Sequence, residues 1–204
     1  MGYYDNIAVC KTERELLELW KTKEPVTRSY VDKKQEKTVS INHKNVFISD
    51  GIVNEAVWNH QTGRKILYLL KEAYGEDADW SLTEWLLRAK PSSSVWKRVI
   101  EWAYGIQNTT ESGIAKYSPG IYEHHTELFN HIAVVNLKKS GGKSSSDYGE
   151  IEAYALADKE EIKKQLRLID YYHPANYYPA LLNYYAVTNI FQQALLYQKE
   201  KGEN

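Results

Sequence analysis

The feature that most constrains this chain is an apolar run that stops at chemistry. Ile66-Leu67-Tyr68-Leu69-Leu70 is followed at once by Lys71-Glu72-Ala73-Tyr74-Gly75-Glu76-Asp77. The run lacks the alternation of a half-exposed strand and is too short for a helix of its own. It therefore reads as a strand covered on both faces. Parallel sheets built from such strands hold their ligands beyond the carboxyl ends, which is where Glu72, Tyr74 and Gly75 fall. Two readings of the acid stand at this point: a carboxylate of an active-site loop, or a water-facing acid in an ordinary strand-to-helix turn.

The rest of the chain supplies helices and a second strand. Thr12 followed by Glu15 is a capping box, and the apolar spacing from Thr12 to Trp20 predicts a packing helix. Lys33 to Lys37 reads as a charged turn. Val46-Phe47-Ile48 before Ser49-Asp50-Gly51 predicts a short strand ending in a tight turn. Ser81 with Glu84 caps a helix over Trp80 to Leu87, and Val95, Trp96, Val99, Ile100 and Ala103 share one face of the next, which ends at Gly105. Gln107 to Gly120 reads as loop. Ile132-Ala133-Val134-Val135 is a second short strand ending at Asn136. A further helix is expected over Ile151 to Ile169, with acids early and Lys163, Lys164 and Arg167 late, as the helix dipole favours. Tyr171 to Pro179 is a proline-fixed loop presenting His173, and an amphipathic helix is expected from about Ala180 to about Gln198.

Composition narrows the function. The 204 residues suit a single domain, 1–204, with a sizeable core, and a net charge of -1 means that any nucleic-acid surface is a local patch. Leu137 to Ser146 offers such a patch, with Lys138, Lys139, Lys143, Ser144 and Ser145 in a glycine-punctuated cationic loop able to follow phosphates; a solvated linker is the alternative. Gly142-Lys143-Ser144 is not a P-loop, because the glycine spacing is wrong. The single Cys10 excludes an internal disulfide framework and a cysteine-held metal cluster within one chain, and points to a reducing compartment. With no apolar run of membrane-spanning length and no secretory pattern, the expectation is a cytoplasmic protein without a membrane partner.

Three sites, taken in order, resemble the uracil-DNA glycosylase superfamily. Lys71-Glu72-Ala73-Tyr74-Gly75 is similar to its first motif, which reads Gly-Glu-Ala-Pro-Gly in one branch. Asn136 in Val134-Val135-Asn136-Leu137 resembles the asparagine that reads the base. His173-Pro174-Ala175 resembles the His-Pro-Ser loop near the carboxyl end. The resemblance implies a three-layer αβα sandwich with a short, mainly parallel central sheet and hydrolysis of the glycosidic bond of uracil or a related damaged base in DNA. It implies Glu72 and His173 as catalytic residues; Asn136, Ala73, Tyr74 and Trp80 against the base; the lysine-serine loop on DNA; and neither metal nor cofactor. Lysine and tyrosine replace glycine and proline in the first motif, which bears on substrate choice. The helix ending near Ile169 also runs almost directly into Tyr171, where the superfamily has another strand and helix, so a reduced sheet or a stretch absent near residues 167–172 is expected. A noncatalytic nucleic-acid-binding or protein-binding member and a nucleoside or nucleotide hydrolase are the competing functions.

Overall fold

The computed structural model describes residues 2–62, 64–89, 93–110, 113 and 115–169. The chain opens with two short helices, α1 (Tyr3–Val9) and α2 (Glu13–Lys21). Thr12 caps α2 through the Glu15 amide at 3.2 Å, and the Glu15 carboxylate returns a bond to the Thr12 amide, as the capping box predicts. A hairpin of β1 (Val26–Asp32) and β2 (Gln35–Ile41) follows, turning at Lys33 and Lys34, both in the left-handed region (φ 48° and 68°). Two-residue turns of this kind match the strand twist, which explains a hairpin here without the usual asparagine or glycine. Next come β3 (Ile48–Ser49), β4 (Gly51–Ile52) and α3 (Glu55–His60), then β5 (Ile66–Tyr74), β6 (Trp80–Ser81), α4 (Leu82–Arg88) and α5 (Ser94–Asn108). A 3-10 turn over Pro119–His124 leads into α6 (His125–Phe129), β7 (Ile132–Gly142), α7 (Tyr148–Ala157) and α8 (Lys159–Leu168).

The fold is mixed α/β around a three-stranded sheet ordered β4-β7-β5. β5 and β7 run parallel, from Ile66 opposite Ile132 to Leu70 opposite Asn136, while β4 pairs antiparallel with β7 through Gly51–Val134 and Ile52–Ala133. Successive side chains of β7 go to opposite faces. Ile132 and Val134 join Ile66, Tyr68, Leu86, Ile100 and Phe129 in one cluster, against α4, α5 and α6. Ala133 and Val135 join Leu69, Trp20, Trp58, Ile162 and Leu166 in another, against α2, α3 and α8. Helices thus cover both faces of the sheet, and the unbroken apolar character of both strands follows from that. Among the described residues, no helix is long and apolar enough to cross a membrane.

Three expectations about elements are corrected. The segment from Leu137 to Gly142 is not loop but the continuation of β7, and β5 runs four residues beyond Leu70 to pair with it. The helix expected over Ile151 to Ile169 is two helices meeting at Asp158, which is fully buried. The charged turn expected over Lys33 to Lys37 is confined to Lys33 and Lys34, and Gln35 to Lys37 already belong to β2. The loop carrying His173 and the helix expected from Ala180 to Gln198 lie outside the described residues.

Candidate functional site

β5 and β7 end side by side, and the ladder shifts there. Glu72 is opposite Lys138, but Ala73 is opposite Gly141, so β7 carries extra residues in a bulge at Lys139 and Ser140. Glu72 therefore lies one pleat beyond Leu70, the register partner of Asn136. Its side chain is only 7% exposed and ion-pairs with Lys138 at 3.2 Å, and Lys138 also reaches Glu150 of α7 at 2.8 Å. Burial works to lower the Lys138 pKa; the Glu150 and Glu72 carboxylates outweigh it and hold the ammonium above its ordinary range. Gly142 makes this packing possible, since a Cβ there would come within 2.4 Å of the Glu72 Cγ. Ala73 is buried in the first cluster, Trp80 is half-buried with its ring against Gly75, and Tyr74 is 78% exposed.

Asn136 belongs to a second network, centred on Asp50 between β3 and β4. One Asp50 oxygen, Oδ2, accepts from the Asn136 backbone amide at 2.7 Å and from Asn136 Nδ2 at 3.1 Å. The other, Oδ1, accepts from Lys139 Nζ and, at 3.0 Å, from Gln165 Nε2. Gln165 also takes a hydrogen bond from Lys139 at 2.9 Å and gives one to Glu13 at 3.0 Å, and Glu13 accepts the Ile52 amide at 3.0 Å. All five side chains are buried. Asp50 and Lys139 neutralise each other, leaving Glu13 as the surplus charge. Burial pushes its carboxyl up to about 7, against the opposing pull of the Ile52 and Gln165 hydrogen bonds. Gly51 leaves room for it: a Cβ there would meet Glu13 Oε1 at 2.3 Å, and the backbone φ of +121° suits only glycine. Among the described residues, the Asn136 carbonyl oxygen, Oδ1, is buried without a hydrogen-bond partner.

A third network ties the amino-terminal elements to the α7–α8 junction. Lys23 contacts Asp158 at 2.9 Å and Glu161 at 2.7 Å, and His43 contacts Asp158 at 3.0 Å, all buried. Burial works to raise the Asp158 pKa, and His43 and Lys23 overcome it, leaving the carboxyl below its ordinary value.

The placement of the sequence-predicted site is therefore mixed. Glu72 and Asn136 lie on adjacent parallel strands, Glu72 two residues before the end of β5 and Asn136 in the middle of β7, and their side chains engage separate partners. Lys138 and Lys139, expected against DNA, are buried, 8% and 0% exposed, and their ammonium groups are engaged by carboxylates. Lys143, Ser144 and Ser145 are exposed in the turn between β7 and α7. Near that turn, Gly149 packs against Tyr30 and the Val31 carbonyl, and Lys37 approaches Asp147 at 3.9 Å. The hairpin tip with its exposed Lys33 and Lys34 is thereby brought to the same end of the molecule.

Sequence reasoning missed Asp50, Glu13 and Gln165 as neighbours of Asn136. The usable signal lay in Ser49-Asp50-Gly51, an acid directly after an apolar run, the same pattern that singled out Glu72. Among the described residues, no group of three or more histidine, cysteine or acidic side chains is placed to hold a metal ion. Comparison with protein-family models, with characterised proteins and with solved structures finds no match to this chain.

Proposed function

We propose that this chain is a DNA N-glycosylase with a uracil-DNA-glycosylase-like αβα fold, which hydrolyses the bond between deoxyribose and uracil or a related base. One observation carries the reading: a carboxylate and a primary amide on adjacent parallel strands, the amide having a buried acceptor oxygen to spare. A base must leave the helical stack to be hydrolysed, and its edge is then read by hydrogen bonds. Asn136 offers such a contact. Glu72 is the group to position water or to oppose the positive charge that develops on the sugar. Tyr74 and Trp80 supply ring surface around the end of β5, and His173 keeps the role that the resemblance gives it, donating to the departing base. Lys143, Ser144 and Ser145, with Lys33 and Lys34, are the phosphate-binding groups in this reading.

The test is base release from single- and double-stranded oligonucleotides carrying uracil, hypoxanthine or mismatched thymine, detected by cleavage at the abasic product. Glu72→Gln is expected to slow release by about 100-fold or more. Salt-sensitive DNA binding by folded protein without release from any substrate would favour a noncatalytic nucleic-acid-binding member instead. The engagement of Glu72 by Lys138 is the observation on that side. Release only from free nucleosides would point to a nucleoside hydrolase.

A further inference from the structure

We infer that the β1–β2 hairpin is a groove-reading ribbon, whose face turned away from α7 lies in the major groove of B-form duplex DNA. This role rests on the DNA partner of the glycosylase reading and adds to it the form of DNA recognised and the element that recognises it.

The pairing register sorts the hairpin into two faces, because successive side chains of a strand alternate. On one face Val26 is opposite Ile41, Arg28 opposite Val39 and Tyr30 opposite Lys37. α7 covers that face: Ile41 is buried with Tyr154 and Ala157, Val39 packs against them, and Gly149 lets the Tyr30 ring approach. On the other face Thr27 is opposite Ser40, Ser29 opposite Thr38 and Val31 opposite Glu36, and all six are exposed. Four short hydroxyl side chains, one branched apolar group and one carboxylate thus make an open surface that carries no lysine or arginine. Cations border it instead. Arg28, Lys33, Lys34 and, in the turn before α7, Lys143 are exposed and form no ion pair among the described residues, whereas Lys37 is held by Asp32.

The dimensions and chemistry match one partner. Paired strands lie about 4.8 Å apart, and the major groove of B-form DNA, about 12 Å wide, admits a two-stranded ribbon. Strands of seven residues run about 20 Å, the length of about six base pairs. Base edges in that groove present donors, acceptors and the thymine methyl group. The four hydroxyls can give or accept, Val31 can meet a methyl, and Glu36 can accept from a cytosine amino group. Arg28, Lys33, Lys34 and Lys143 then meet the phosphates that wall the groove. An isolated two-stranded hairpin is marginal in water, so the packing on α7 is what holds the ribbon in shape. The DNA minor groove, about 6 Å wide, is too narrow for it, and the major groove of A-form RNA is too deep and narrow.

The experiment titrates the full chain by fluorescence anisotropy against one sequence made as plain DNA duplex, RNA duplex and single-stranded DNA. A fourth probe is the DNA duplex carrying glucosylated 5-hydroxymethylcytosine, whose sugars fill the major groove. The plain duplex is expected to bind at least about tenfold more tightly than the other three, and netropsin in the minor groove to change that binding by less than about twofold. In the double variant Ser29→Tyr with Thr38→Tyr, both new residues favour strands but set rings where the base edges would lie. Its duplex binding should weaken by at least about tenfold.

Equal binding of the plain and glucosylated duplexes, an unchanged Kd for the folded variant, or no binding to any duplex at low salt overturns the groove role. The glucosylated duplex needs only the wild-type chain, so a variant that does not fold leaves the test intact. The glycosylase reading is decided separately: the expected binding pattern without base release from any substrate would support the ribbon and remove that reading.

Discussion

Raising the pH from 5 to 8 is expected to destabilise this protein, through one side chain. Glu13 has an ordinary value of 4.5, which burial raises to about 7 in the fold. Between those two values the native state holds a proton that the unfolded chain has released, so stability is greatest below 4.5 and falls as the pH climbs. The slope approaches about 1.4 kcal/mol per pH unit, and the accumulated loss is about 3 kcal/mol by the time Glu13 is fully ionised. The other shifted groups act elsewhere. Lys23 and Lys138 are raised above 10.5, and Asp158 is lowered below 3.8.

The assay is urea denaturation at half-unit steps of pH, with the midpoint and slope followed by tryptophan fluorescence. Glu13→Gln keeps the side chain's size and removes the titration, so its stability should be flat where the wild-type curve descends. A wild-type curve that is flat from pH 5 to 7, or a variant that retains the descent, would refute the assignment of the surplus charge to Glu13.

Further consequences follow from the same networks. Gly51→Ala forces a glycine-only backbone conformation onto alanine and pushes the Glu13 carboxylate off the Ile52 amide, for a combined loss of about 3–4 kcal/mol; in a Glu13→Ala background the loss should shrink by at least about 1 kcal/mol, and equal losses in both backgrounds would show that the collision is not with Glu13. Lys23→Met leaves Asp158 and Glu161 buried without their cation and is expected to cost about 3–5 kcal/mol in denaturant titration, a loss under about 1 kcal/mol being incompatible with the network. The depressed Asp158 carboxyl adds a separate acid effect: its stabilisation is present above the ordinary 3.8 and is lost as the pH falls below it, which an Asp158→Asn comparison at pH 2 to 5 would isolate. If Lys33, Lys34 and Lys143 each meet a phosphate, replacing all three with alanine should lower the log-log salt dependence of duplex binding by about 2.7, while an unchanged slope would place the DNA elsewhere.

What could be read from the sequence was local. The Thr12–Glu15 box and the Ser81 cap sit where helices α2 and α4 begin, because a cap is satisfied within four residues of itself. The apolar cores of β5 and β7 were equally plain. What was not legible depended on partners far away in the chain. Lys138 and Lys139 look solvated beside glycines and serines, yet Glu72, Glu150 and Asp50 draw them into the interior, and no local pattern records a counter-charge 89 residues away. β5 runs past Leu70 for the same reason, since Glu72 finds its pair across the ladder. The hairpin hid because its turn uses two lysines and its strands are mostly exposed. The break at Asp158 hid because its partners, Lys23 and His43, come from the amino-terminal part.

The central position of β7 has a consequence for how the chain is made. Its two neighbours, β4 and β5, lie well ahead of it in sequence and, among the described residues, touch no other strand of their sheet. During synthesis both emerge first, at about 5–20 residues per second, and must wait several seconds for the strand that separates them. Until residues 132–142 clear the ribosome, Ile66 to Leu70 has no ladder to join and neither hydrophobic cluster can close. Nascent chains halted before residue 130 should therefore be protease-sensitive throughout the β5 segment, with protection appearing only once β7 is out.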